Sequence, residues 1–418
     1  MRKFLFLVLL TFSACKSPSS STIETSLPAG SDAPIVILIS LDGFRWDYLQ
    51  KFKPPHLSKL AVEGVEAERL ISAFPSLTFP NHYTIATGLW PEHHGIIANS
   101  FYDDGFKTNF NIFNSPAPRE SRWWGGEPIW VTALKQGRIA NCMFWPGSDA
   151  PIQDVRPNQW RSFDYKVTLH ERVQTVLDWL GQPVGKRPDF ISLYFHETDS
   201  AAHHYGIDSA ENTQAVFDVD KAVGQLVEGI HRLKLDALVN LVIVSDHGMA
   251  EVSATRIVAL SRLFDLKQVQ VDFSGAVAGL RPLDGDVDSL FKKISAQENH
   301  FRVYRRENMP TRFHFRENGR IPPVVLVAHE GWYIRKQPLD EVAAQKFEKA
   351  THGFDPELSS MGATFIANGP AFRRHTKIAA VENIHIYNLL CATLGLRPAP
   401  NDGDDRLVEK VLKKKSAN

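Results

Sequence analysis

The residues able to do chemistry sit where apolar runs stop. Ile35-Val36-Ile37-Leu38-Ile39 ends in Ser40-Leu41-Asp42-Gly43, and Leu241-Val242-Ile243-Val244 ends in Ser245-Asp246-His247-Gly248. A third run, Phe190 to Phe195, leads into His196-Glu197-Thr198-Asp199 and then His203. With His352 in Thr351-His352-Gly353-Phe354-Asp355, the candidate metal ligands are Asp42, Asp199, His203, Asp246, His247 and His352. Carboxylate oxygen with imidazole nitrogen suits zinc or a similar borderline metal better than magnesium or calcium, which take oxygen almost exclusively. Six groups are too many for one tetrahedral ion and suit two, each keeping a position open for substrate or water. Taken singly, each has a plainer reading: Asp-Gly after a strand is commonly a turn, and Asp199 with His203 fits a surface pair on one helical turn. Their joint occurrence at successive strand ends is what points to a metal site. His93, His94, His196, His204 and His329 compete for the same roles and are set aside; His93-His94 falls in a predicted turn and His204 faces away from His203.

Those ligands need strands that end together. The three apolar runs read as buried strands, and in an open parallel sheet ligands collect at the carboxyl edge. Leu169, Val173, Val176, Leu177 and Leu180 form one helical stripe, and Val216, Val219, Val223, Leu226, Val227 and Ile230 another, each directly before a strand. Further strands are expected at Ile139 to Phe144 and at Gly362 to Ala367. This alternation predicts an α/β layered architecture with a mostly parallel sheet. Residues 99 to 130, rich in Asn, Pro and aromatics, and residues 268 to 330, which mix short β-like segments with charged turns, break the rhythm as long irregular insertions. Neither a repeat nor a linker divides the main body, so one catalytic domain is expected over residues 34–403. The C-terminal tail, residues 404–418, is expected to fray as a solvated end from Lys410 to Asn418.

The 418 residues are 43% hydrophobic and 22% charged, enough for one large core or two modest ones. Lys+Arg and Asp+Glu balance at 47 each, which gives no reason to expect a nucleic-acid or acidic-membrane partner. Nor does any pattern imply a protein partner. At the amino terminus, Met1-Arg2-Lys3 and the apolar stretch Phe4 to Leu10 have the parts of an export signal, and the stretch is shorter than the roughly 20 residues of a spanning helix. Phe12-Ser13-Ala14-Cys15 resembles a bacterial lipoprotein signal: residues 1–14 would be removed and Cys15 lipidated, although Phe12 departs from the usual small aliphatic residue. An ordinary cleaved signal is the alternative, and either takes the chain out of the cytoplasm. Residues 15–33 then form a flexible tether, and the expected location is the periplasm or outer membrane of a bacterium. Cys142 and Cys391 lie in apolar surroundings and read as buried thiols.

Between the first two carboxylates lies Phe74-Pro75-Ser76-Leu77-Thr78-Phe79-Pro80-Asn81-His82. Thr78, two residues before Pro80, falls at or next to a helix amino terminus, where free N–H groups and a positive dipole favour phosphate. On local sequence alone a threonine N-cap accounts for it. The wider pattern adds Leu41-Asp42-Gly43, Trp90-Pro91-Glu92-His93-His94-Gly95, Trp145-Pro146-Gly147-Ser148-Asp149, Asp199 with His203, Ser245-Asp246-His247-Gly248-Met249 and His352-Gly353-Phe354-Asp355. In this order, these motifs resemble the nucleotide pyrophosphatase/phosphodiesterase family of the alkaline phosphatase superfamily.

The resemblance implies an alkaline-phosphatase-like three-layer α/β fold, helices flanking the sheet, and two Zn2+ ions. One zinc would be held by Asp199, His203 and His352, the other by Asp42, Asp246 and His247 with Thr78 as an added ligand. Zinc lowers a bound water's pKa from about 15.7 to about 7, and a bound alcohol should move the same way, so Thr78 becomes the implied nucleophile of a phosphothreonine mechanism. Asn99 and a backbone N–H next to Thr78 would bind a non-bridging phosphate oxygen, where losing one donor costs about 3 to 4 kcal/mol. By the same resemblance, Phe79, Trp145, Phe163 and Tyr194 would line a nucleotide pocket, with Phe79 and Phe163 around the base and Asp149 at its polar edge. The chain departs from the family pattern at Thr198 and Ala202, which stand where proline and glycine are usual, and at Ile207 after Gly206. No ligand is lost. The implied activity is release of nucleoside 5′-monophosphates from nucleotides or other phosphodiesters. A choline-lipid phosphodiesterase on the same metals and a non-catalytic lipid-anchored binding protein are the alternatives.

Overall fold

The computed structural model describes residues 33–113 and 116–414. The export signal, Cys15 and the tether as far as Asp32 lie outside the described residues.

Eight strands make the central sheet: β1 (Ile35–Leu41), β2 (Val65–Ala67), β3 (Ala140–Met143), β4 (Gln159–Arg161), β5 (Phe190–Phe195), β6 (Val239–Val244), β7 (Phe365–Asn368) and β8 (Thr376–Ile378). Their spatial order is β8-β2-β7-β6-β1-β5-β3-β4. Every pairing is parallel except those of β7, which runs antiparallel to β6 and β2. β1 is buried at each position because both of its faces are covered. Its side chains alternate between two cores: Val36 and Leu38 point into one, Ile35, Ile37 and Ile39 into the other. That alternation is the origin of the three layers.

Helices α1 (Thr78–Thr87), α2 (Leu169–Leu180), α3 (Glu197–Tyr205), α4 (Ala210–Arg232) and α5 (Ile386–Leu394) fill the outer layers. α2 opens on a capping box in which Thr168 and Glu171 satisfy each other's backbone N–H groups. It buries Val173, Val176, Leu177 and Leu180, and α4 buries Val216, Val219, Val223, Leu226 and Ile230, so both expected stripes face the sheet. Each such side chain contributes about 1.5–3 kcal/mol. α1 and α5 supply Tyr83, Ile85, Leu389 and Leu390 to the opposite core.

Three expectations change. The strand expected from Gly362 begins at Phe365, because Ala363 bridges Arg45 and Leu70 and the Thr364 carbonyl accepts from Ser245 N–H. The stretch 268–330 is regular: Val269–Phe273, Val277–Pro282, Val324–Ala328 and Phe301–Arg305 form, in that spatial order, a four-stranded antiparallel sheet with its own core around Leu280, Leu326 and Ile294. The C-terminal segment does not fray at Lys410. Arg406–Val411 is a helix with Leu407 and Val411 buried, and Lys413 N–H donates to Ala371 O at 3.0 Å.

The sheet's registration sets the site. Leu41 pairs with Phe195 and Ser40 with Val244. The carboxyl ends of β5, β1 and β6, neighbours in the sheet, are therefore level.

Candidate metal centre

Asp42 follows β1, Asp246 and His247 follow β6, and Asp199 and His203 lie one turn apart on α3, which starts where β5 stops. His352 arrives separately. Ala350–Thr351 pairs antiparallel with Ala250–Glu251, just beyond β6, and this places the His352 ring face to face with His247 at 3.5 Å between centroids. Two clusters result: Asp42, Asp246 and His247, all buried, and Asp199, His203 and His352, the first two partly exposed. Within each, the ligand atoms lie within 4.8 Å of one another. The six residues proposed from sequence are the six brought together.

Each imidazole is held through Nδ1. His247 Nδ1 contacts Gly248 O at 2.9 Å and His352 Nδ1 contacts Ser76 O at 2.8 Å. A carbonyl only accepts, so these Nδ1 atoms carry a proton and Nε2 is the nitrogen turned toward the carboxylates. His203 Nδ1 donates to Glu348 Oε2 at 2.7 Å. Nε2 of His247 stands 2.9 Å from Asp246 Oδ2 and 3.4 Å from Asp42 Oδ1. Nε2 of His203 and His352 stand 3.3 and 3.7 Å from Asp199 Oδ1.

Those carboxylate oxygens decide whether cations fit. Among the described residues, Asp42 Oδ1, Asp199 Oδ1 and Asp246 Oδ2 are buried with no hydrogen bond, and imidazole nitrogens stand near them. Leaving buried charge unpartnered is costly. Burial, and then the Asp246 and Asp199 carboxylates, push Asp42 well above the usual carboxyl range. Burial and then His247 push His352 down to about 3, leaving it neutral and able to ligate. Burial would lower His203, but Asp199 and then Glu348 outweigh it and hold that imidazole well above its ordinary value, so a proton stands where a cation would. Carboxylate oxygens facing imidazole Nε2 atoms fit divalent cations that accept both nitrogen and oxygen.

Thr78 is the first residue of α1. Its N-cap is Leu77, with no side-chain cap bond, so the threonine-cap reading fails. Its Oγ1 lies 3.3 Å from His247 Nε2, beside the Asp42 cluster. Asn81 pins the preceding loop: its Nδ2 donates to the carbonyls of Pro75 and Leu77, and its Oδ1 accepts from Ala73 N–H. His82, one turn after Thr78, bonds Thr78 O through Nδ1 and Ser40 Oγ through Nε2, each at 2.8 Å. Asn99 Oδ1 accepts from Phe79 N–H at 2.9 Å, so the N–H after Thr78 is bonded to Asn99 and the Asn99 amide is held beside the helix start.

The expected pocket residues separate by exposure. Phe163 is 53% exposed and meets His196 and Tyr194 edge-on at 5.4 and 5.8 Å. Phe79 packs against Phe110 and Trp124. Trp145 is buried and donates from Nε1 to His82 O at 3.1 Å, so it braces α1. Tyr194 donates to Asp42 Oδ2 at 2.6 Å. Asp149 lies 3.9 Å from Arg119. Sequence reasoning missed Glu348, which carries no motif, and passed over His82, whose four-residue spacing from Thr78 was the available signal. A cavity of about 570 Å³ between Lys59, Val239 and Arg374, at the amino end of β6, includes none of these residues.

Fold and site define a class: an alkaline-phosphatase-like α/β protein that gathers acid and imidazole side chains at one sheet edge. The family model described as type I phosphodiesterase / nucleotide pyrophosphatase matches residues 36–355, and the chain belongs to that family. It is 38% identical over 415 residues to venom phosphodiesterase CdcPDE of Crotalus durissus collilineatus, covering 95% of this chain and 49% of that protein. It is 37% identical over 410 residues to ectonucleotide pyrophosphatase/phosphodiesterase family member 1 of Homo sapiens, covering 95% and 44%. The chain thus spans about half the length of the curated relatives it matches. Among solved structures, it superposes on murine ectonucleotide pyrophosphatase/phosphodiesterase 5, an inactive threonine-to-alanine variant in complex with AMP. The TM-score is 0.86 at 33% identity, covering 91% of this chain and all of that one.

Proposed function

We propose that this chain hydrolyses phosphodiester or pyrophosphate bonds of nucleotides, releasing nucleoside 5′-monophosphates, with Thr78 as nucleophile and Zn2+ at both clusters. The observation carrying this reading is the Thr78 hydroxyl, free of any capping role and 3.3 Å from His247 Nε2 at the Asp42 cluster. Support comes from family membership and from the relative whose inactive threonine-to-alanine variant holds AMP.

Asp42, Asp246 and His247 would hold one cation, with Thr78 beside it, and Asp199, His203 and His352 the other. Bound there, the cations supply positive charge that favours the Thr78 alkoxide and steadies the leaving oxygen. Thr78 Oγ1 gives up its proton to solvent and bonds to phosphorus as the bond to the leaving oxygen breaks, that oxygen departing as an anion or taking a proton from solvent, which gives a phosphothreonine. Water then bonds to phosphorus, the Thr78 ester breaks, and the hydroxyl regains a proton. His82 and Asn81 hold the helix start still while this happens, and the Asn99 amide is placed to donate to a non-bridging oxygen. Phe163, half-exposed beside Tyr194, gives a base a face to stack on. The Cys15 signal supports export and anchoring as a lipoprotein, and among the described residues no helix is long and apolar enough to cross a membrane.

The test is turnover of purified, zinc-loaded chain on a nucleoside triphosphate, a dinucleotide and glycerophosphocholine. Dominant release of a nucleoside 5′-monophosphate supports the proposal. A dominant rate on glycerophosphocholine reassigns the substrate, and no turnover on any of them returns the chain to a binding role.

A further inference from the structure

Two of the three ligand-type imidazoles are oriented by backbone carbonyls, and the third by a carboxylate. The two kinds of partner go with a difference in exposure. His247 and His352 are buried with side chains 0% and 7% exposed, whereas His203, at the end of α3, is 23% exposed and less restrained by packing. Glu348 reaches its Nδ1 at 2.7 Å from the segment between Glu341–Gln345 and Ala350–Thr351. That segment is stitched down directly after the contact, through both backbone groups of Lys349. Lys349 N–H donates to His203 O at 2.8 Å, and Val252 N–H donates to Lys349 O at 3.0 Å. One residue thus grips the ring of His203 and its neighbour grips the same residue's backbone.

We propose that Glu348 is a positioning residue that sets the cation affinity of the Asp199–His203–His352 cluster and leaves the Asp42–Asp246–His247 cluster unchanged. The inference rests on the reading that both clusters hold cations. A carboxylate accepting the Nδ1 proton fixes the tautomer and makes Nε2 a stronger donor to metal than a carbonyl does, and losing such a partner typically weakens metal binding by about 10- to 100-fold. Glu348 is 24% exposed and belongs to none of the three cores, so its removal takes away no apolar packing.

The experiment titrates the full chain, stripped of metal, with Zn2+ against a chromophoric chelator. Wild type is expected to take up two equivalents. Glu348→Ala is expected to weaken one of them by about 10- to 100-fold and leave the other within about twofold. Glu348→Gln, which keeps an acceptor without the charge, should fall between and decides the matter alone if the alanine variant does not fold. Far-UV circular dichroism of both variants should match wild type, so that a change in affinity is not a loss of fold. Two equivalents bound as in wild type by both variants, or both equivalents weakened alike, overturns the inference while the metal reading stands. A wild-type chain that does not take up two equivalents overturns both.

Discussion

Tyr194 Oη donates to Asp42 Oδ2 at 2.6 Å, across the pairing of β5 with β1 in which Tyr194 lies opposite Ser40. With Oδ2 engaged, Oδ1 is the oxygen left bare toward His247. A residue expected to line a nucleotide pocket therefore also orients a candidate metal ligand. Tyr194→Phe removes the hydrogen bond and keeps the ring. Chelator competition should show cation affinity at the Asp42 cluster falling about tenfold, while KM for a nucleotide changes less than about threefold because the aromatic face remains.

Thr78 is the only group asked to form a covalent bond. Thr78→Ala should lower kcat by at least about 10³-fold and abolish trapping of a phosphoprotein by acid quench. Thr78→Ser should retain a measurable rate, since the hydroxyl stays at the first position of α1. Full activity in the alanine variant would remove Thr78 from the mechanism.

Phe163 and Trp145 look alike in sequence and differ in the fold. Phe163→Ala should raise KM for a nucleotide about tenfold with the melting temperature unchanged, because an exposed ring contributes stacking and little packing. Trp145→Ala should cost about 3–5 kcal/mol of stability, because it empties a buried site and removes the Nε1 hydrogen bond to His82 O. Denaturant unfolding and steady-state kinetics on the two variants separate these outcomes.

His94 supplies a pH dependence outside both clusters. Ile96 N–H donates to its Nδ1, so Nε2 donates to Thr84 Oγ1, and the ring is held neutral. Burial pushes it down to about 3 from an ordinary value of 6.5. Between those values the unfolded chain binds a proton that the folded chain does not, so stability is present above about pH 6.5 and is lost as pH falls toward about 3. Urea unfolding from pH 6.5 to 4 should show wild type losing stability more steeply than His94→Gln, by up to about 1.4 kcal/mol per pH unit.

Five of the six candidate ligands were legible because apolar runs of strand length stop abruptly at or just before acid and imidazole residues, His352 stood out only through its His-Gly-Phe-Asp motif, and the two amphipathic stripes were legible from their 3.6-residue period. Strand direction was not. Phe365–Asn368 has the composition of its parallel neighbours, and only its pairing with Val65–Ala67 and Val239–Val244 reveals that it runs the other way. The satellite sheet of 269–328 was obscured because its strands are separated by charged turns and long excursions, so their pairing is a matter of tertiary placement. Glu348 was invisible for the same reason: its contact with His203 spans 145 residues. In Thr78, helix position was readable, but that Leu77 rather than Thr78 takes the cap depends on backbone angles that composition does not encode.

The most direct measurement is anomalous diffraction at the zinc edge from crystals of the zinc-loaded chain. The account predicts two peaks, one among Asp42, Asp246 and His247 beside Thr78, the other among Asp199, His203 and His352. A single peak, none, or peaks away from these side chains would contradict it.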